Sequence, residues 1–134
     1  NQKNETVNRL SVGDKWKVCL VIKVNKPISE FISAVGVYSQ FDLPIRTSWQ
    51  SPIDVTKGIY EAVFEEENLL LSVGIYSINI GLSQGYRSIQ YFEKIINIEI
   101  IKQSNFDSDF FIMNDTSSGV LLNPMKCKTT FIKE

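Results

Sequence analysis

The run from Leu69 to Leu82, LLLSVGIYSINIGL, constrains what this chain can fold into more than any other stretch. From Tyr76 onward, Tyr76, Ile78, Ile80 and Leu82 share one face while Ser77, Asn79, Gly81 and Ser83 share the other. That is the period-2 alternation of a half-buried strand. The Leu-x-x-Gly-x-Tyr lead-in has the form of a tyrosine corner, in which a Tyr at the start of a strand returns its hydroxyl to the backbone just upstream. An ordinary buried Tyr is the other reading of that hydroxyl. Both readings give the same fold class, an antiparallel, immunoglobulin-like or Greek-key β-sandwich.

The rest of the chain supports that class. Trp16, Val18, Leu20, Ile22 and Val24 alternate with Lys17, Cys19, Val21 and Lys23, which predicts a strand with Trp16 in the core. Residues 1–10 read as an edge strand leading into a Ser11–Asp14 turn. Residues 31–40 form the next strand, with Val35 and Val37 inward and Ala34, Gly36, Tyr38 and Gln40 outward. A turn over 41–44 precedes a short strand over 45–49. A further strand over 59–65 carries Tyr60, Ala62 and Phe64 on its core side, and the acidic run Glu65–Glu67 reads as a solvated turn. A polar loop is expected over 83–88, then a strand over 89–102 that forms a hairpin with the Tyr76 strand. One last strand or two fall within 119–132. The count is seven to nine short strands, with neither an amphipathic helix nor an internal repeat. At 134 residues the chain reads as one domain, residues 1–134, excised from a larger protein.

Charge and chemistry narrow the function classes. The net charge is −1, with both signs interleaved, so no electrostatic footprint for nucleic acid is present. No apolar run approaches the roughly 20 residues of a membrane-spanning helix. The chain has no His, which removes the commonest general base and metal ligand, and no phosphate-binding glycine motif occurs. The reading is therefore non-enzymatic, with no cofactor and no metal. The two cysteines, Cys19 and Cys127, lack metal-ligand spacing; they are either free thiols or a bridge between sheets.

What remains is an outward surface that sets aromatics beside amides and Arg: Tyr38, Gln40, Arg46, Trp49, Asn79, Gln84, Tyr86, Arg87 and Tyr91. Aromatic faces stack on the apolar C–H patches of a pyranose, and amides and guanidinium groups satisfy its hydroxyls without a strong field. These nine residues are the candidate glycan-binding set. The alternative is a protein-interaction or structural immunoglobulin-like domain using the same surface or an exposed strand edge.

Four blocks resemble the C-terminal carbohydrate-binding domain of Wzt-type ATP-binding proteins from bacterial polysaccharide ABC exporters. They are SVGDKWKV from Ser11, the 31–40 strand with its turn, the region from Gly58 through Leu82, and the strand over 119–128. The resemblance implies a β-sandwich that binds an exported, lipid-linked O-antigen-type polysaccharide in the cytoplasm, peripheral to the inner membrane. It also implies a homodimer open to exchange of the C-terminal strand, with an ATPase domain upstream and transmembrane exporter subunits as partners.

Overall fold

The computed structural model describes residues 8–102 and 128–132. These contain eight strands and no helix: β1 (Arg9–Ser11), β2 (Trp16–Val24), β3 (Ile28–Ser39), β4 (Pro44–Trp49), β5 (Ile53–Val55), β6 (Gly58–Glu66), β7 (Gly74–Gln84) and β8 (Arg87–Ile101). The larger sheet runs β1-β8-β7-β3-β4, with β5 pairing to the far end of β3; β2 and β6 make the second sheet. All pairings are antiparallel except one. β1 runs parallel to β8, with Leu10 opposite Ile100.

Alternation on β2 and β6 builds one wall of the core. Their register places Val18 opposite Phe64, Leu20 opposite Ala62 and Ile22 opposite Tyr60, all facing the larger sheet. The other wall comes from Val35 and Val37 on β3, Ile78 and Ile80 on β7, and Ile98 and Ile100 on β8, with Leu69 and Leu71 sealing the end. Each such fully buried aliphatic side chain contributes about 2 kcal/mol relative to exposure. Trp16 is in this cluster at 8% exposure, as its parity predicts.

The lead-in to β7 is a tyrosine corner. Tyr76 Oη donates to Ser72 O at 2.9 Å and lies 3.2 Å from Ser72 Oγ, all of it buried. Upstream, Gly13 N donates to Leu69 O and Leu69 N to Asp14 O, each at 2.8 Å, so the Ser11–Asp14 turn is stitched to the same lead-in. The Gly13 turn needs a left-handed residue, φ +92°.

Four details differ from the sequence reading. No polar loop separates β7 from β8; strand pairing continues to Gln84 opposite Arg87, leaving only Gly85 and Tyr86 as the turn. Gly85, at φ +56°, supplies the left-handed residue that such a tight hairpin needs. β5 was not expected; it is three residues long, and its Val55 packs in a small second cluster with Val24 and Phe31. The acidic run is not a solvated turn, because Glu65 and Glu66 belong to β6 and Glu66 reaches between the sheets. Finally, residues 128–132 form no strand. The rest of the expected C-terminal strand, Cys127 and residues 1–7 of the N-terminal edge strand lie outside the described residues, whereas Cys19 is a free, exposed thiol on β2.

Candidate functional site

The outer face of the larger sheet, turned away from β2 and β6, is where the aromatic candidates meet. β3, β4, β7 and β8 present Ala34 and Gly36, Thr47 and Trp49, Asn79 and Gly81, and Tyr91 on that face. The small residues form a floor and the aromatics stand around it, enclosing a groove of about 210 Å³. Beyond Tyr38 and Tyr91 the groove continues into a second hollow of about 260 Å³, lined by Ser77, Asp42, Glu93 and Lys94.

The glycines set where the rings lie. A Cβ on Gly36 would sit 3.0 Å from the Tyr38 ring, and one on Gly81 would sit 3.6 Å from the Tyr91 ring. The absent side chains let both aromatics lean over the sheet, Tyr38 over Gly36 of its own strand and Tyr91 over Gly81 of the neighbouring one. The two hydroxyls then meet at 3.3 Å. Tyr38 titrates above the ordinary tyrosine range, first because of that hydrogen bond, then through desolvation and the nearby charges of Tyr91 and Glu93. Its phenol stays protonated and able to donate around neutral pH.

Asn79 ties the groove together from beneath. It is 6% exposed, its Nδ2 donates to Tyr91 Oη at 3.0 Å, and its Oδ1 accepts from Lys94 N at 2.8 Å. Ile78 pairs with Ile96 and Ile80 with Phe92, so Glu93, Lys94 and Ile95 together oppose Asn79 alone. The bulge adds two residues, so alternation resumes with the same faces on either side. Lys94 sits in the left-handed region, φ +50°, an uncommon conformation for a long side chain, and the Asn79 bond holds it there. Its Nζ pairs with Asp42 Oδ1 at 2.9 Å. The Lys94 ammonium is held above the ordinary lysine range, first by the hydrogen bond to Asp42 and that carboxylate's charge, with Glu93 adding to it.

Of the nine candidates, Tyr38, Trp49, Asn79 and Tyr91 line the groove. The other five lie elsewhere. Arg46 faces inward opposite Val37, and its guanidinium makes a two-pronged pair with Glu66, at 2.9 and 2.8 Å. Gln84 and Arg87 pair with each other on the face that Phe31 and Leu82 share: Gln84 keeps Leu82's parity along β7, and one extra residue in β8 near Ile89 brings Arg87 to the same face. Gln84 donates there to Ser29 Oγ. Tyr86 is fully exposed at the tip, and Gln40 is exposed in the turn after β3. Sequence reasoning missed Thr47, Asp42, Glu93 and Lys94. Thr47 shares Trp49's parity and was within reach, whereas Glu93 and Lys94 depend on the bulge.

Fold and groove together define a β-sandwich with an aromatic-lined trough on one outer sheet face. The chain belongs to the Wzt C-terminal domain family, whose model matches residues 1–112. That family associates it with a polysaccharide ABC exporter, in a part distinct from the ATPase domain. Among solved structures, a crystal structure of the C-terminal domain of Wzt is similar over 94% of this chain and 74% of its own, with a TM-score of 0.66 and 14% identity. At that identity the similarity speaks to the fold. No curated protein sequence matches the chain. Among the described residues, no helix is long and apolar enough to cross a membrane.

Proposed function

We propose that this chain is a non-catalytic carbohydrate-binding domain that recognises the lipid-linked, O-antigen-type polysaccharide handled by an ABC exporter. The observation that carries the reading is the groove itself: Tyr38, Trp49 and Tyr91 arranged around a floor of Ala34, Gly36 and Gly81. Rings give a pyranose stacking surfaces, the small floor lets a flat sugar approach the sheet, and phenol and Thr47 hydroxyls meet its hydroxyls. Trp49 is 67% exposed, and among the described residues its indole N–H has no hydrogen-bond partner, so the largest aromatic surface is offered outward.

In this reading residues 1–134 act as one domain of a parent chain whose ATPase precedes it. It works at the cytoplasmic side of the inner membrane beside the transmembrane subunits. A glycan array carrying the host's own surface polysaccharide tests it. Binding is expected and is weakened by Tyr38→Ala and by Tyr91→Ala. No binding at millimolar sugar, with both variants silent, overturns it.

A separate surface favours a protein contact as well. The outer face of β2 and β6 exposes Val21, Ile59 and Val63, an apolar patch that a second copy of the chain can cover in a homodimer. Sedimentation of the chain at tens of micromolar is expected to give a dimer that Val21→Glu weakens. A monomer under those conditions removes the dimer and leaves the groove reading untouched.

A further inference from the structure

The hollow beyond Tyr38 and Tyr91 has its own chemistry. Its side chains come from three places: Tyr38 and Asp42 from β3 and its following turn, Ser77 and Asn79 from β7, and Tyr91, Glu93 and Lys94 from β8. Two carboxylates face one ammonium, so the hollow carries a net charge of −1 from those three groups. Lys94 is engaged by Asp42 at 2.9 Å. Glu93 makes no hydrogen bond or ion pair among the described residues, although its charge reaches both Tyr38 and Lys94. Beneath them Ser77 is 5% exposed, and its Oγ is buried without a hydrogen-bond partner. An unmet buried hydroxyl is costly to leave so and favours an occupant that meets it. Asn79, by contrast, has both polar ends engaged within the protein.

The balance of donors and acceptors decides what fits. An anionic substituent would share Lys94 with Asp42 and lie beside two carboxylates. A neutral hydroxyl could meet Ser77 but would leave the Glu93 charge uncompensated. A protonated primary amine supplies up to three donors and one positive charge, which suits Glu93 and Ser77, and the flanking Tyr38 and Tyr91 rings favour a cation. Among the described residues no set of three acidic, Cys or His side chains is arranged to hold a metal ion, and of the two carboxylates only Glu93 is without a partner among them.

Building on the carbohydrate reading of the groove, we propose that this hollow is a subsite for a free amino group on the sugar, so that the domain selects glycans bearing unacetylated amino sugars. Glu93 is the charge partner, Ser77 the deep hydrogen-bond partner, and Asn79 the positioning residue that holds the bulge in place.

Calorimetry on the whole 134-residue chain with a chitosan tetramer and its fully N-acetylated counterpart tests this, since the two differ only at nitrogen. At about pH 5.5, where the amines are protonated, the free-amine tetramer is expected to bind about tenfold more tightly than the acetylated one; at about pH 8.5 most of that advantage is lost. Glu93→Gln, a change at an exposed position, is expected to bring the two ligands to within about threefold of each other at the lower pH. Ser77→Ala, which removes a hydroxyl with no partner, is expected to weaken the free-amine ligand while leaving the chain folded by circular dichroism. Equal binding of both tetramers, or an amine preference that survives Glu93→Gln, overturns the subsite and leaves the carbohydrate reading standing. Failure of both tetramers to bind at millimolar concentration overturns the subsite, while the carbohydrate reading falls only if the host's own polysaccharide also fails to bind.

Discussion

The chain contains two tryptophans, each set beside polar side chains, and the two surroundings spend their polar groups in opposite ways. Trp16 lies between the sheets, where its Nε1 donates to Glu66 Oε1 at 2.6 Å and Arg46 closes on the same carboxylate from β4. The three side chains satisfy one another and tie β2, β4 and β6 together beside a cleft of about 440 Å³. Trp49, only three residues after Arg46, points to the opposite face, is mostly exposed, and leaves its N–H unused among the described residues. Similar residue types thus make a closed clasp on one side of the sheet and an open groove on the other. Saturation, more than composition, separates a structural polar cluster from a binding surface.

The largest effect expected of breaking the clasp is on stability. Glu66→Ala leaves the Trp16 N–H and the Arg46 guanidinium without their shared acceptor and is expected to cost about 1–3 kcal/mol in chemical denaturation, with the exposure of the Arg46 pair holding the figure below that of a fully buried one. Sugar binding at the groove should not change, because none of the three residues lies on the outer face. Loss of binding in Glu66→Ala without loss of stability would erase the distinction.

Asn79→Ala comes next and is the one change expected to affect both properties. It strips partners from Tyr91 Oη and Lys94 N, costing about 1–2 kcal/mol in stability. It also frees the bulge that aims Tyr91 and Glu93 into the groove, so affinity falls as well. Trp49→Ala is the reciprocal of the first variant. It should weaken glycan binding about tenfold, with stability moving by no more than about 0.5 kcal/mol, as for other exposed positions away from the core.

The smallest effect is on pH dependence. Burial raises the Glu66 pKa, but the hydrogen bonds from Arg46 and Trp16 and the Arg46 charge outweigh it, leaving the carboxyl below its ordinary range. A carboxyl depressed in the folded state contributes stability above its unfolded pKa and loses it as pH falls through the folded value. The stability gap between the native chain and Glu66→Gln should therefore be constant near neutrality and shrink only below about pH 4. A gap that instead closes between neutral and mildly alkaline pH would assign the clasp to another group.

The clasp and the groove were unequally legible. The Tyr76 strand, its corner and the inward faces of β2 and β3 followed from alternation alone, because burial of a sheet face forces period 2. Tyr38 and Tyr91 were placed outward for the same reason. Arg46 was read outward together with Trp49, although three residues of regular alternation separate them; paired with Val37, it faces inward. The shift near Ile89 sends Arg87 to the face opposite Tyr91, whereas Gln84 simply keeps the inward parity of Leu82 and was missed because 83–88 was read as a loop. Glu66 could not be recognised as a clasp within a run of three glutamates, because its partners stand 20 and 50 residues away in sequence. The recess over Ser77 depends on a bulge whose organising bond, Asn79 to Lys94, joins two strands across their hairpin. Bulges and long-range polar pairs are what local pattern does not carry.

The two tryptophans also supply the most direct test of the claim that the outer groove binds glycan. In a nitrogen-15-labelled sample each indole N–H gives its own proton–nitrogen resonance, one from the hydrogen-bonded clasp and one from the groove. Titration with oligosaccharide prepared from the host's surface polysaccharide should move the Trp49 resonance saturably while the Trp16 resonance stays in place. A Trp49 signal that stays fixed at millimolar oligosaccharide, or a titration that moves Trp16 alone, would contradict the account.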